Sequence, residues 1–169
     1  MKHKFIIFIL MFSLSNFLYA SERPFEREAD VYFEYLMSGK FDKLDADWRG
    51  FRKNSTKNSD GQPMLASYYG GISGCVFLSC FGRDDQAWKN RKNKITEWKE
   101  KYPNSVPAKI ASAYFNIEYG WYIRGNGYSS SVDEKSFVFF RENVEKGKGE
   151  LLALDKKTKT DPGWFSAML

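Results

Sequence analysis

Apolar side chains recur along this chain every three or four residues, and the recurrence rarely lapses. Phe25, Ala29, Tyr32, Phe33 and Leu36 fall at i, i+4, i+7, i+8 and i+11, one face of a helix over about 25–38. Gly39 follows, and glycine readily takes the left-handed backbone that closes a helix. Phe41, Leu44, Trp48 and Phe51 continue in steps of 3, 4 and 3, which predicts a second helix over about 41–53. Helices joined by so short a link fold back on each other as a hairpin. No stretch alternates apolar and polar residues with a period of two, so the spacing predicts an all-α fold of antiparallel helical hairpins.

The rest of the chain keeps the pattern. NSTKNSDGQP, residues 54–63, is polar and turn-rich and reads as a loop. Leu65, Tyr68, Tyr69, Ile72 and Val76 give a third helix its apolar face, although Gly70, Gly71 and Gly74 interrupt it. Each glycine costs about 1 kcal/mol against alanine, so either a neighbouring helix crosses very close here or the helix is irregular. Asp84 is placed to cap a fourth helix, with Trp88, Arg91, Ile95, Trp98 and Tyr102 inward, the arginine through its alkyl stem. Pro103 ends it. Ser105 caps a fifth helix, with Pro107 in its first turn. Ala108, Ala111, Tyr114, Phe115 and Tyr122 make one side of it, and Ile110, Ile117 and Trp121 broaden that side, as befits a helix packed from several directions. Asp133 caps a sixth helix striped by Phe137, Phe140, Val144 and Leu151, its middle weakened by Gly147 and Gly149. Asp161 and Pro162 open a short last helix.

The first twenty residues, MKHKFIIFILMFSLSNFLYA, have a different character. Lys2 and Lys4 precede an unbroken apolar run from Phe5 to Phe12, and the segment closes on Ala20. This is the layout of a secretory signal peptide, residues 1–20, cut before Ser21. The run falls short of the roughly 20 residues that span a bilayer, so no stable membrane anchor is expected after cleavage. An uncut N-terminal anchor is the other reading. Residues 21–169 then form a single domain, periplasmic or secreted. Aromatic residues at 18% of the chain supply ample core and exclude a disordered protein.

Loss of the signal has two chemical consequences. It removes two lysines and no acid, leaving 24 basic and 21 acidic residues, a net charge of +3. So small a surplus does not point to nucleic acid, and the KNRKNK cluster at 89–94 reads as the wet face of a helix. It also removes His3, the only histidine. Ser-His-Asp and Cys-His catalysis, histidine bases and histidine metal ligands go with it, and no cofactor or metal is indicated.

WKEKYPNSVPAKIASAYFNIEYGWYIRGNGYS, residues 98–129, resembles a bacterial family catalogued as domain of unknown function 4034. Trp98, Pro103, Ser105, Ala108, Ala111, Tyr114, Gly120, Trp121, Arg124, Gly125 and Tyr128 carry the resemblance. SGKFDKLD at 38–45 and DKKTKTDPGW also look like junctions of that family, whose members tend to continue past the latter element. The resemblance implies tetratricopeptide-like helix pairs, arranged as a right-handed α-solenoid or a compact helical array. It implies no reaction. Helix pairs of this kind present a groove to a peptide or protein partner.

YGWYIRGNGYSS, residues 119–130, has two readings. In the structural one Arg124 meets the carbonyl-rich end of the fifth helix, Gly125 closes it, Trp121 packs inward and Tyr128 covers the corner. In the functional one Trp121, Arg124 and Tyr128 wall a pocket for an anion or a peptide, with the arginine as bidentate donor. Cys75 and Cys80, in CVFLSC, suggest a disulfide in an exported protein. On one straight helix five residues rise about 7.5 Å and turn about 140° past a full turn, so a bond requires the helix to end between them; two buried thiols are the alternative. Catalysis without histidine would need converging carboxylates, and Glu34, Glu97, Glu118 and Glu142 lie on helices with nothing to select among them. Asp84 and Asp85 are adjacent and point apart, and the SSSVDEK turn is better read as the lead into a cap than as a Ser–Lys pair. The expected function is a peptide- or protein-binding module of the cell envelope, not an enzyme; the alternative is a carboxylate-dependent hydrolase acting on cell-envelope polymer.

Overall fold

A computed structural model describes residues 24–73, 84–156 and 158–169, with side chains from Arg27 onward. The signal-like segment 1–20, Gly74, Val76 and the Cys75–Cys80 pair lie outside the described residues. The described residues are all-α. Their helices are α1 (Pro24–Met37), α2 (Phe41–Asn54), α3 (Met64–Ser73), α4 (Asp85–Lys101), α5 (Val106–Arg124), α6 (Glu134–Leu152) and α7 (Pro162–Met168). Among these residues extended pairing is confined to one bridge, Lys57 to Pro63, across the polar loop. Asn58 organises that loop by accepting from the backbone N–H groups of Asp60 (3.1 Å) and Gln62 (2.8 Å).

The helix starts follow local chemistry. Asp84, Ser105, Asp133 and Asp161 each accept a backbone N–H of the first turn through the side chain, from Ala87, Ala108, Ser136 and Gly163. Gly39 closes α1 at φ +72°, and Gly125 closes α5 at φ +72°. Ser105 also donates to Asp45 Oδ1 at 2.6 Å, so the cap of α5 is tied to α2.

α5 is the hub, touching α2, α3, α4, α6 and α7. Its alanines at 108, 111 and 113 are fully buried and let neighbours approach. α1 turns back against α2, with the Tyr32 and Phe51 rings 5.9 Å apart, yet its closest crossing is with α3. Gly71 explains why: a Cβ there would lie 2.0 Å from the Ala29 carbonyl oxygen. The interrupted third helix is therefore a close crossing, stitched by Ser67 Oγ donating to Glu28 at 2.9 Å. Gly147 does the same for α6 against α5, where a Cβ would lie 2.8 Å from Ala113 O and Ile117.

Arg91 differs from its expectation. It is 1% exposed, head included, instead of burying its stem alone. Its guanidinium stacks over Trp88 (4.8 Å) and Phe33 (5.6 Å) and donates to the Ser73 carbonyl. Lys89 and Lys92 of the same basic cluster are exposed, as a wet helix face requires.

Candidate functional site

The end of α5 brings two of the three candidate residues together. Gly125 N–H bonds back to Trp121 O at 2.9 Å, which ends the helix and leaves Arg124 in its last turn. Trp121 does not pack inward: it is 44% exposed. The reason is its neighbour, since Gly120 is the buried position and meets Phe140 and Asn143 of α6. Trp121 therefore lies at the edge of the α5–α6 seam, its ring 4.5 Å from that of Phe140. The Arg124 guanidinium lies 5.1 Å from the Trp121 ring centre and 5.9 Å from that of Phe140. It donates to Gly125 O at 3.1 Å, and no ion pair joins it to a carboxylate among the described residues.

Tyr128 stands apart. It is 89% exposed and so does not cover the corner. Its carbonyl accepts from Ser131, opening the 3-10 turn Ser129–Ser131, and among the described residues no ring or cation contact ties it to Trp121 or Arg124. The row of rings extends through α6 instead. Phe137 lies 6.0 Å from Phe140, and Arg141 stacks 5.5 Å from Phe137. Phe137 and Phe140 were legible only as the stripe of α6; the place of Phe140 beside Trp121 depends on the pitch of one helix against another.

A second feature was not singled out by the sequence. α3, α5 and α7 enclose a cleft of about 350 Å³. Tyr69 and Tyr114 stack along it at 5.7 Å, and Glu118 lies one turn beyond Tyr114. Burial pushes the Glu118 carboxyl up from 4.5 to about 7, with the charge of Arg91 offsetting part of that cost. Burial likewise pushes the Tyr114 hydroxyl up to about 12, against a hydrogen bond with Ser166 that lowers it. The cleft meets a neighbouring hollow of about 380 Å³ at Pro63, Leu65 and Pro162, where Arg52 and Lys57 are the cations. Of the four helix-borne glutamates, Glu118 alone lines the cleft; Glu34 and Glu142 are exposed, and Glu97 pairs with Lys94 at 2.8 Å on the surface. Among the described residues no group of three or more His, Cys, Asp or Glu is placed to hold a metal ion.

No family model matches this chain, and neither does any curated protein or solved structure.

Proposed function

We propose that this chain is an exported peptide- or protein-binding module of the cell envelope, built of tetratricopeptide-like helix pairs in the manner of the domain of unknown function 4034 family. The observation that carries the reading is the exposed Trp121, backed by Phe140 and capped by a guanidinium that no carboxylate among the described residues engages. Tryptophan and arginine of this kind dominate the energetics of protein interfaces, because they offer a large apolar face and a directional charge together. Consecutive helices of the pairs α1–α2 and α5–α6 lie against each other, as repeats of that type do.

The hydrolase alternative calls for two carboxylates about 5–10 Å apart across a scissile bond. Glu118 is the one acid among the described residues that line the cleft, so the residues there favour binding over hydrolysis.

The test is retention of a partner from periplasmic extract by the immobilised wild type, Trp121→Ala and Arg124→Ala proteins. We expect a partner held by the wild type and lost from both variants, each keeping wild-type helicity by circular dichroism. Equal retention by all three sinks the reading. So does unfolding of Arg124→Ala, which would make the arginine a structural closure of α5.

A further inference from the structure

Two guanidiniums bracket a row of rings in which Trp121 is exposed and Phe140 and Phe137 are half-buried. Arg124 covers Trp121 and Phe140 at one end, and Arg141 covers Phe137 at the other. A guanidinium stacked on a ring keeps its N–H donors at its edge, pointing away from the ring face. Arg124 spends one donor on Gly125 O. Neither arginine has an ion-pair partner among the described residues. The surface is thus apolar in its centre and bidentate-cationic at both ends.

We propose, resting on the peptide-binding reading above, that this surface takes an acidic peptide segment. Its carboxylates engage Arg124 and Arg141, and an apolar side chain between them packs on Trp121 and Phe140. Charge complementarity selects this occupant over others. A second copy of the chain placed here symmetrically would set arginine against arginine, in a protein that already carries a net positive charge. A nucleic-acid strand presents phosphates at every step, whereas α6 interposes Glu134, Glu142 and Glu145 among its cations. A peptide can place its acids only where the arginines are.

The experiment selects a displayed random-peptide library on the full-length protein, with the Trp121→Ala/Arg124→Gln protein as counter-selector. We expect enrichment of sequences with Asp or Glu on both sides of an apolar residue. Synthesised, these should bind Arg124→Gln and Arg141→Gln roughly ten- to a hundredfold more weakly than wild type, the loss expected for a hydrogen bond to a charged group. Their Gln-for-Glu versions should lose the preference between wild type and the arginine variants. Peptides that enrich and depend on Trp121 but show no acidic bias overturn the acidic partner and leave the binding module standing. A library in which nothing enriches over the counter-selector removes both. Tighter binding of an oligothymidylate than of any peptide, or self-association in sedimentation that Trp121→Ala abolishes, also overturns the proposal by naming a different occupant.

Discussion

Asp161 has no exposed surface, yet it ties separate helices together. It caps α7 through Gly163 N–H at 2.7 Å, accepts Trp48 Nε1 at 2.8 Å and lies 3.5 Å from Arg52 Nη1. Trp48 Nε1 is shared with the Tyr69 hydroxyl at 3.0 Å, so one carboxylate joins α2, α3 and α7. Burial and the nearby Asp161 charge together hold the Tyr69 hydroxyl protonated. Removing a buried charge that others were arranged to satisfy strands its partners, which costs about 3–5 kcal/mol. Asp161→Ala should lose about that much in urea denaturation followed by circular dichroism. Asp161→Asn should lose less, because its amide oxygen can still accept from Gly163. The sequence showed Asp161 only as a cap. Local spacing fixes which residue starts a helix; it cannot show a tryptophan 113 positions upstream bonding to the same oxygen. The same limit hid the buried head of Arg91 and the outward ring of Trp121, since a helical stripe says which residues share a face and not how near its edge a partner helix stops.

Glycines inside helices look alike in a sequence, and only their neighbours tell them apart. Gly71 lies under the Ala29 carbonyl, whereas Gly149 has nothing within 4 Å of where a Cβ would stand. Gly71→Ala must therefore push α1 off α3, and helix propensity cannot compensate for the repacking. We expect it to destabilise by roughly 1–3 kcal/mol, the usual range for overpacking. Gly149→Ala, in the same protein and the same assay, should instead stabilise by up to about 1 kcal/mol, because only backbone entropy changes. Thermal melts of the two variants check both signs, and a stabilising Gly71→Ala would mean that α1 and α3 do not meet as closely as the structure has it. The starts of α4, α5, α6 and α7 were legible, because a cap needs only the residues of one turn, whereas the helix pairings rest on close approaches that the spacing leaves ambiguous between weakness and design.

Across the whole molecule, the placement of α5 was legible and the cleft it helps to form was not. A helix apolar over much of its girth has to be surrounded, and α5 is. Glu118, however, looked like any other helix glutamate until α3 and α7 closed over it. Its burial makes the stability of the fold sensitive to whether it holds its proton. Arg91 of α4 faces it with a positive charge, while the tyrosines 69 of α3 and 114 of α5 stay neutral across the working range. The folded protein holds the Glu118 proton up to about pH 7, whereas the unfolded chain releases it near 4.5. Folding is favoured most below the lower value, weakens as pH climbs between the two, and carries the full cost once pH passes the higher one. The span corresponds to roughly 2–4 kcal/mol. Other carboxylates titrate too, so the decisive quantity is the difference between wild type and Glu118→Gln, measured by urea denaturation at pH 5 and at pH 8. The glutamine variant cannot ionise, so it should gain on the wild type by that amount between the two conditions and be the more stable protein at pH 8. If the difference is the same at both, Glu118 is as well solvated as a surface glutamate and the cleft does not close over it.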